Sequence, residues 1–284
     1  MRWQFGRRSE NVEDNRGTGG GGIAISGGIG TVILALVALA LGVDPSIVLQ
    51  QSGNLSPQSS DSPTARLNPQ EEELADFVSV VLADTEDTWH QIFQEMGGSY
   101  QEPKLVLFSG SVQSACGFAQ AAMGPFYCPG DRKVYLDLSF YEDLKNRHNA
   151  PGDFAQAYVV AHEVGHHVQT LLGISPKVQA MKQRVSEKQA NALSVKLELQ
   201  ADCFAGVWAN RAQKARQILE QGDVEEALNA ASQIGDDRLQ KQSQGYVVPD
   251  SFTHGNSQQR MRWFTQGIQS GDLRQCDTFS SKNI

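Results

Sequence analysis

The chain has 284 residues, of which 40% are hydrophobic and 20% are charged, as is usual for a globular protein with one large domain or two small ones. Its formal net charge is −8, and no run of Lys or Arg follows the first 16 residues. This excludes the basic surface that nucleic-acid binding requires, so we expect no nucleic acid among its partners.

The first element in chain order is the apolar stretch 23–43, which begins at Ile23, ends at Val43 and contains no charge. At about 1.5 Å per residue, a helix of this length spans the hydrocarbon core of a lipid bilayer. Arginines precede it, and no Lys or Arg follows until Arg66. The positive-inside bias therefore predicts a single-pass transmembrane helix, with residues 1–22 in the cytoplasm and the rest outside. The preceding arginines are Arg2, Arg7, Arg8 and Arg16.

Two alternatives remain open for this stretch. One is a cleaved signal peptide, because Ala38 and Ala40 resemble a small-residue cleavage site, although the long and partly acidic segment before it argues against cleavage. The other is a buried core helix, which would normally show a polar face.

Residues 44–68 are rich in Ser, Gln, Pro and Gly, which is typical of a flexible linker. The folded domain is therefore predicted at 69–284. It begins with a helix that Asn68 caps and Pro69 opens, with apolar residues at helical spacing up to Gly97. Further elements are predicted in this order: strands at 104–108 and 133–138, and helices from 153, over 176–222, over 224–233 and from 257.

Four cysteines are present and none forms a C-x-x-C pair, so a cysteine zinc ribbon is not expected. An even number outside the cytoplasm indicates two disulfides, and three pairings are possible. The short loop between Cys116 and Cys128 favours that pair, which leaves Cys203 to bond Cys276. Buried free thiols are the alternative.

The chemistry is carried by residues 162–166, which read H-E-V-G-H. His162 and His166 lie one helical turn apart on one face, where both can bind the same ion. Glu163 lies beside the first ligand and is placed to take a proton from a zinc-activated water. The alternative is a core helix whose histidines are satisfied by hydrogen bonds. Because the apolar run FAQAYVVA before the motif fits a buried active-site helix, we predict one Zn²⁺ per chain.

A third ligand has to come from elsewhere, because the metzincin continuation H-x-x-G-x-x-H is absent. Glu198 is predicted as this ligand, and Asp202, four residues on, as the acceptor that orients a ligand histidine. Two carboxylates on a largely apolar helix need such partners. Asp202 as the direct ligand, or Glu198 on a solvated face beside Lys196, are the alternatives.

His254 lies in a predicted loop before the last helix. There it can donate a hydrogen bond to the oxyanion of a tetrahedral intermediate, although a lone loop histidine is as often a surface residue. Tyr246 is a weaker candidate for the same role.

At this point the chain resembles the bacterial neutral zinc metallopeptidases, a group of membrane-anchored gluzincin-type proteins. The resemblance covers most of the chain from about residue 70 and rests on SACGFAQAAMGPFYCPGDRKVYLDLSFYEDL, AHEVGHHVQTLLGI, LELQADCFAGVWA and SFTHGNSQQRMRWF. It implies a zincin-like α+β fold, mostly helical with a small sheet beside the active-site helix. It also implies a bacterial plasma membrane as the location, with the catalytic domain outside the cytoplasm.

A more distant similarity is to HtpX-like membrane peptidases. In that group a Glu-x-x-x-Asp segment supplies the third ligand and its supporting carboxylate, which matches Glu198 and Asp202. A later His followed six residues on by Arg lies near the active site, which matches His254 and Arg260. The similarity strengthens the assignment of His254 as a catalytic residue.

The leading hypothesis is a peptidase that cuts peptide or protein substrates internally, with Glu163 as general base and the KVYLDL strand pairing with an extended peptide. One alternative is a zinc-containing scaffold without turnover, although a base beside an open ligand position argues against it. The other is a membrane-tethered binding factor with latent activity, whose partner would dock on the Gln-rich region 213–244.

Overall fold

The computed structural model describes residues 1–17 and 68–281, so the predicted transmembrane helix at 23–43 and most of the linker lie outside the described residues. Within the described ranges, no helix is both long and apolar enough to cross a membrane. The strands are β1 (Val12–Asp14), β2 (Lys104–Phe108), β3 (Ser111–Ser114), β4 (Gly117–Gln120), β5 (Phe126–Cys128) and β6 (Lys133–Asp137).

Eight α-helices form most of the described structure, which confirms the predicted α+β class, mostly helical with a small sheet. They are α1 (Pro69–Glu95), α2 (Ser139–Asn146), α3 (Asp153–Leu171), α4 (Ile174–Lys182), α5 (Glu187–Arg216), α6 (Asp223–Gln233), α7 (Asp236–Gln244) and α8 (Ser257–Ser270). Short 3₁₀ turns occur at Ala121–Met123, Pro249–Ser251 and Leu273–Cys276.

Helix α1 begins where the sequence predicts. The Asn68 side chain accepts a hydrogen bond from the Gln70 amide, and Pro69 occupies the first turn, where its missing N–H costs nothing. The continuous helix predicted over 176–222 is wrong, because the chain breaks into α4 and α5. Ser186 and Gln189 form a capping box, which gives α5 its own N-terminus.

The main sheet has the order β1-β2-β6-β5. Strands β1, β2 and β6 are parallel, with Leu105 paired to Val134, and β5 runs antiparallel to β6. Strands β3 and β4 form a separate hairpin. The sequence predicts β2 and β6, but β3, β4 and β5 are short strands in a segment full of turn formers, so their periodicity is too brief to detect.

The N-terminal residues belong to the folded unit, which corrects the predicted boundary between a segment at 1–22 and a domain that begins at 69. Residues 1–16 and the chain from Asn68 onward form one compact unit. Strand β1 lies beside β2, and Met1 is 4% exposed. A three-residue strand has no recognisable alternation, so only its pairing with β2 identifies it.

The two predicted disulfides are present. Cys116 bonds Cys128 with a Cα–Cα distance of 5.8 Å, and Cys203 bonds Cys276 at 5.6 Å. The first disulfide ties the β3–β4 hairpin to β5, and the second ties the C-terminal 3₁₀ turn to α5.

Helix α3 is buried along most of its length, and it packs against α1, α5 and α6. Helices α5 and α8 pack backbone against backbone at Gly267. A Cβ atom built there would lie only 2.0 Å from the Cys203 carbonyl oxygen, so the close approach requires a glycine. This close packing brings the N-terminal half of α8 next to the part of α5 that carries the predicted third ligand.

Candidate active site

The H-E-x-x-H motif lies in the buried middle of α3. The rings of His162 and His166 are 4.8 Å apart between centroids and nearly perpendicular. Between them, Gly165 faces α5, and a Cβ atom there would lie 3.1 Å from the Ala201 carbonyl oxygen. The absence of a side chain at this position lets α5 approach, which sets Glu198 opposite both histidines.

The structure brings the three predicted ligands together. The Nε2 atom of His162 lies 3.1 Å from Glu198 Oε2, and the Nε2 atom of His166 lies 3.4 Å from Glu198 Oε1. One ligand atom from each residue falls within 4.8 Å of the other two, which is the geometry of a candidate metal site.

The outer nitrogen of each histidine has its own acceptor. His162 Nδ1 donates to Asp202 Oδ1 at 2.8 Å, as predicted for Asp202, and His166 Nδ1 donates to Gln169 Oε1 at 3.0 Å. Gln169 is itself held by the Leu197 carbonyl at 2.8 Å. Because each Nδ1 already has an acceptor, each Nε2 faces Glu198 and is the nitrogen that would bind a metal ion.

Asp202 has no exposed surface and is held by Arg260 and Tyr158. Arg260 donates two hydrogen bonds of 2.9 Å to the two carboxylate oxygens, and the Tyr158 hydroxyl donates at 2.5 Å. Burial alone would raise the pKa of Asp202, but Arg260 and His162 bring this pKa to about 2. Asp202 therefore remains an anion behind the ligands at neutral pH.

The ligands themselves favour positive charge between them. Burial alone would lower the pKa of His162, but Asp202 and Glu198 raise this pKa to about 10. Burial alone would raise the pKa of Glu198, yet His166 and His162 lower it well below its ordinary value. A Zn²⁺ ion would supply this positive charge in place of the imidazole proton, and two histidines with one carboxylate, supported by a second carboxylate, fit Zn²⁺ with one coordination position left for water.

A cavity of about 800 Å³ opens onto this cluster. Glu163, which is 8% exposed, lines it next to His162. The lining also includes Met123, Phe126 and Tyr127, from the segment between β4 and β6. The arrangement places a candidate metal site, an adjacent carboxylate and apolar side chains around one cleft, which are common features of a hydrolytic site.

The predicted His254 lines the same cavity. The loop that carries His254 is held by Asp236, whose carboxylate accepts hydrogen bonds from the backbone amides of Thr253, His254 and Gly255. The second oxygen of Asp236 lies 3.3 Å from His254 Nδ1 and raises the pKa of His254. Tyr246 is 62% exposed and does not line the cavity, so the structure does not favour it for the same role.

Some residues of the site were not predicted from the sequence. Tyr158 lies four residues before His162 and Gln169 lies three after His166, so helical spacing on α3 is a signal that could have found both. Asp236 is 18 residues from His254, and only the fold reveals their contact.

The comparisons with known proteins agree with this geometry. The family model described as Putative neutral zinc metallopeptidase matches residues 1–279. The uncharacterized protein YpfJ of Escherichia coli K12 is 55% identical over 98% of this chain and 99% of its own length. The uncharacterized proteins Mb2605 of Mycobacterium bovis and Rv2575 of Mycobacterium tuberculosis are each 40% identical over 87% of this chain and 86% of theirs. No solved structure matches the chain.

Proposed function

Because the chain belongs to the neutral zinc metallopeptidase family, we propose that it is a zinc-dependent endopeptidase that hydrolyses peptide bonds in the cavity beside α3. The observation that carries this proposal is the convergence of His162, His166 and Glu198 next to Glu163 in one open cavity. A purely structural zinc site would have four protein ligands and no use for the neighbouring carboxylate.

His162, His166 and Glu198 would hold the zinc ion. When bound, zinc lowers the pKa of water to about 7 and polarises the carbonyl group of the substrate. Asp202 and Gln169 keep the two imidazoles in the ligating tautomer and orientation.

Glu163 carries out the proton transfers. Its carboxylate accepts a proton from the attacking water and later passes that proton to the nitrogen of the leaving amine, so the bond to the carbonyl carbon breaks with a neutral leaving group. His254, which lines the same cavity, donates a hydrogen bond to the oxygen of the former carbonyl as it becomes negative.

The sequence predicts that a peptide pairs with the KVYLDL strand, and the sheet order favours a neighbouring strand instead. The KVYLDL strand is β6, which pairs with β2 along its length and with β5 over residues 133–135. The main sheet has two edge strands, β1 and β5. Of these, β5 carries Phe126 and Tyr127, which line the cavity. We propose that an extended peptide pairs with this edge. A substrate with N-methylated backbone amides should then bind more weakly, and equal KM values would contradict the pairing.

The two disulfides support a location outside the cytoplasm, because such bonds persist in oxidising compartments. We propose that the apolar stretch 23–43 attaches the protein to the bacterial plasma membrane. Its substrates would be peptides or proteins on that side.

The deciding experiment measures zinc content and cleavage of denatured proteins for the full chain and its Glu163→Gln variant. We expect one zinc per chain in both, and chelator-sensitive cleavage that falls by about 10²–10⁴-fold in the variant. Glu142→Gln, the same change on the exposed surface of α2, is the matched control. Zinc without cleavage by the wild type would favour the scaffold alternative, and a wild type without metal would overturn the proposal.

A further inference from the structure

Residues 1–16 belong to the same compact unit as the candidate active site, although the apolar stretch 23–43 separates the two in sequence. This unit is called the catalytic unit below. Strand β1 pairs in parallel with β2, and Val12 is opposite Leu105. On either side of β1, the Asn11 carbonyl accepts from the Leu105 amide and the Asn15 amide donates to the Leu107 carbonyl, both at 2.8 Å. The segment therefore completes one edge of the main sheet.

A buried carboxylate of α1 depends on the same segment. Glu86 is 1% exposed, and its carboxylate accepts hydrogen bonds from Arg7 at 2.8 Å, Ser9 at 2.5 Å and Asn11 at 2.9 Å. All three donors come from the first 17 residues. Removal of the segment would leave this charge buried without those partners, which is strongly unfavourable.

Both ends of the intervening chain are held at one place on the unit. Arg16, which is 6% exposed, donates to the Glu71 carbonyl in the first turn of α1 at 2.9 Å and also pairs with Glu72. The 50 residues between Gly17 and Asn68 thus begin and end beside the same helix terminus.

The arginines that suggested a cytoplasmic N-terminus are paired with acidic groups in the folded unit. Arg7 bonds Glu86 and Asp87, and Arg8 bonds Asp76. Within this structure their charges are compensated by the unit, so they are poor evidence for a separate cytoplasmic segment.

A single crossing of a bilayer core of about 30 Å would place residues 17 and 68 on opposite sides. The sequence between them contains one apolar stretch of sufficient length, because residues 44–67 include Asp44, Asp61 and three prolines. We propose that residues 1–17 share the compartment of the catalytic unit, so that the chain leaves and returns on one side. The stretch 23–43 then contacts a membrane without carrying the chain across it, which replaces the single-pass arrangement.

Cysteine labelling tests the compartment directly. Phe5 is fully exposed on the N-terminal segment, and Tyr246 is 62% exposed on the catalytic unit, so Phe5→Cys and Tyr246→Cys each add one reactive thiol. The wild type, whose four cysteines are paired, gives the background. Each full-length variant is treated in spheroplasts with a membrane-impermeant maleimide, before and after lysis with detergent.

We expect the two thiols to behave alike. Labelling of both thiols before lysis supports the proposal and places both segments outside the cytoplasm. Labelling of both only after lysis also supports the proposal, but it places both segments in the cytoplasm. Labelling of Tyr246→Cys before lysis and of Phe5→Cys only after it, or the reverse, overturns the proposal.

Limited trypsin digestion tests the docking of the segment by a second route. Glu86→Ala should make the bonds after Arg7 and Arg8 several-fold more sensitive to cleavage, because it removes the buried acceptor of the segment. Asp87→Ala, the neighbouring exposed partner of Arg7, is the matched control and should change cleavage much less. Equal cleavage rates in the two variants, or rapid cleavage in the wild type, would contradict a docked segment.

Discussion

The ligand side of the cavity and the His254 side differ in how their residues are held. Behind the ligands, Asp202 has no exposed surface and is fixed by Arg260 and Tyr158. In the same cavity, 52% of the His254 side chain is exposed, and the loop that carries it depends on Asp236. The metal ligands are thus oriented by fully buried partners, whereas the residue assigned to the oxyanion keeps half of its side chain exposed, where a substrate can reach it.

The largest effect is expected at the ligands. Glu198→Ala removes one of three ligand residues, so we expect loss of stoichiometric zinc and of cleavage, measured by mass spectrometry of the metal and by peptide hydrolysis. Glu187→Ala, on the exposed start of the same helix, should keep both. An active, zinc-loaded Glu198→Ala protein would remove this residue from the site.

Substitutions of Asp202 test whether the buried carboxylate behind the ligands supports zinc binding and stability. Asp202→Asn keeps an acceptor but loses the charge, so we expect zinc affinity to fall by about 10–100-fold in competition with a chelator. Asp202→Leu leaves Arg260 buried without its counter-ion and should cost about 3–5 kcal/mol in urea unfolding with zinc removed. Unchanged affinity in Asp202→Asn would show that the tautomer of His162 is set by another group.

On the exposed side, His254→Ala should leave zinc bound and lower kcat by about 10²–10³-fold, as for the loss of an oxyanion donor. His90→Ala, an exposed histidine on α1, is the control. A rise in KM at constant kcat would instead assign His254 to substrate binding.

The smallest effect is a pH shift. Asp236 raises the pKa of His254 above its ordinary 6.5, because its charge favours the imidazolium form. This pair stabilises the fold fully below pH 6.5, and the contribution is lost as pH rises through the raised pKa. Asp236→Asn should therefore lower the pKa of His254, measured by NMR titration of the ring, and move the alkaline loss of activity to lower pH. An unchanged titration would mean that Asp236 acts only on the loop backbone.

Much of the site could be predicted because its signals are local. His162, Glu163 and His166 lie within one helical turn, and Glu198 and Asp202 are likewise four residues apart on one helix. Helical periodicity alone therefore places each pair on a common face, and the capping residue Asn68 marks the start of α1 in the same local way.

Only the tertiary structure reveals the features of the sheet and of the site that depend on contacts between segments distant in sequence. The position of β5 at an edge of the sheet follows from its pairing with β6, and the contact of Asp236 with His254 follows from the position of a loop. The N-terminal segment is the clearest case, since β1 and the partners of Glu86 have no periodic pattern. Their positions are specified by long-range hydrogen bonds and buried charge, which a local sequence pattern does not encode.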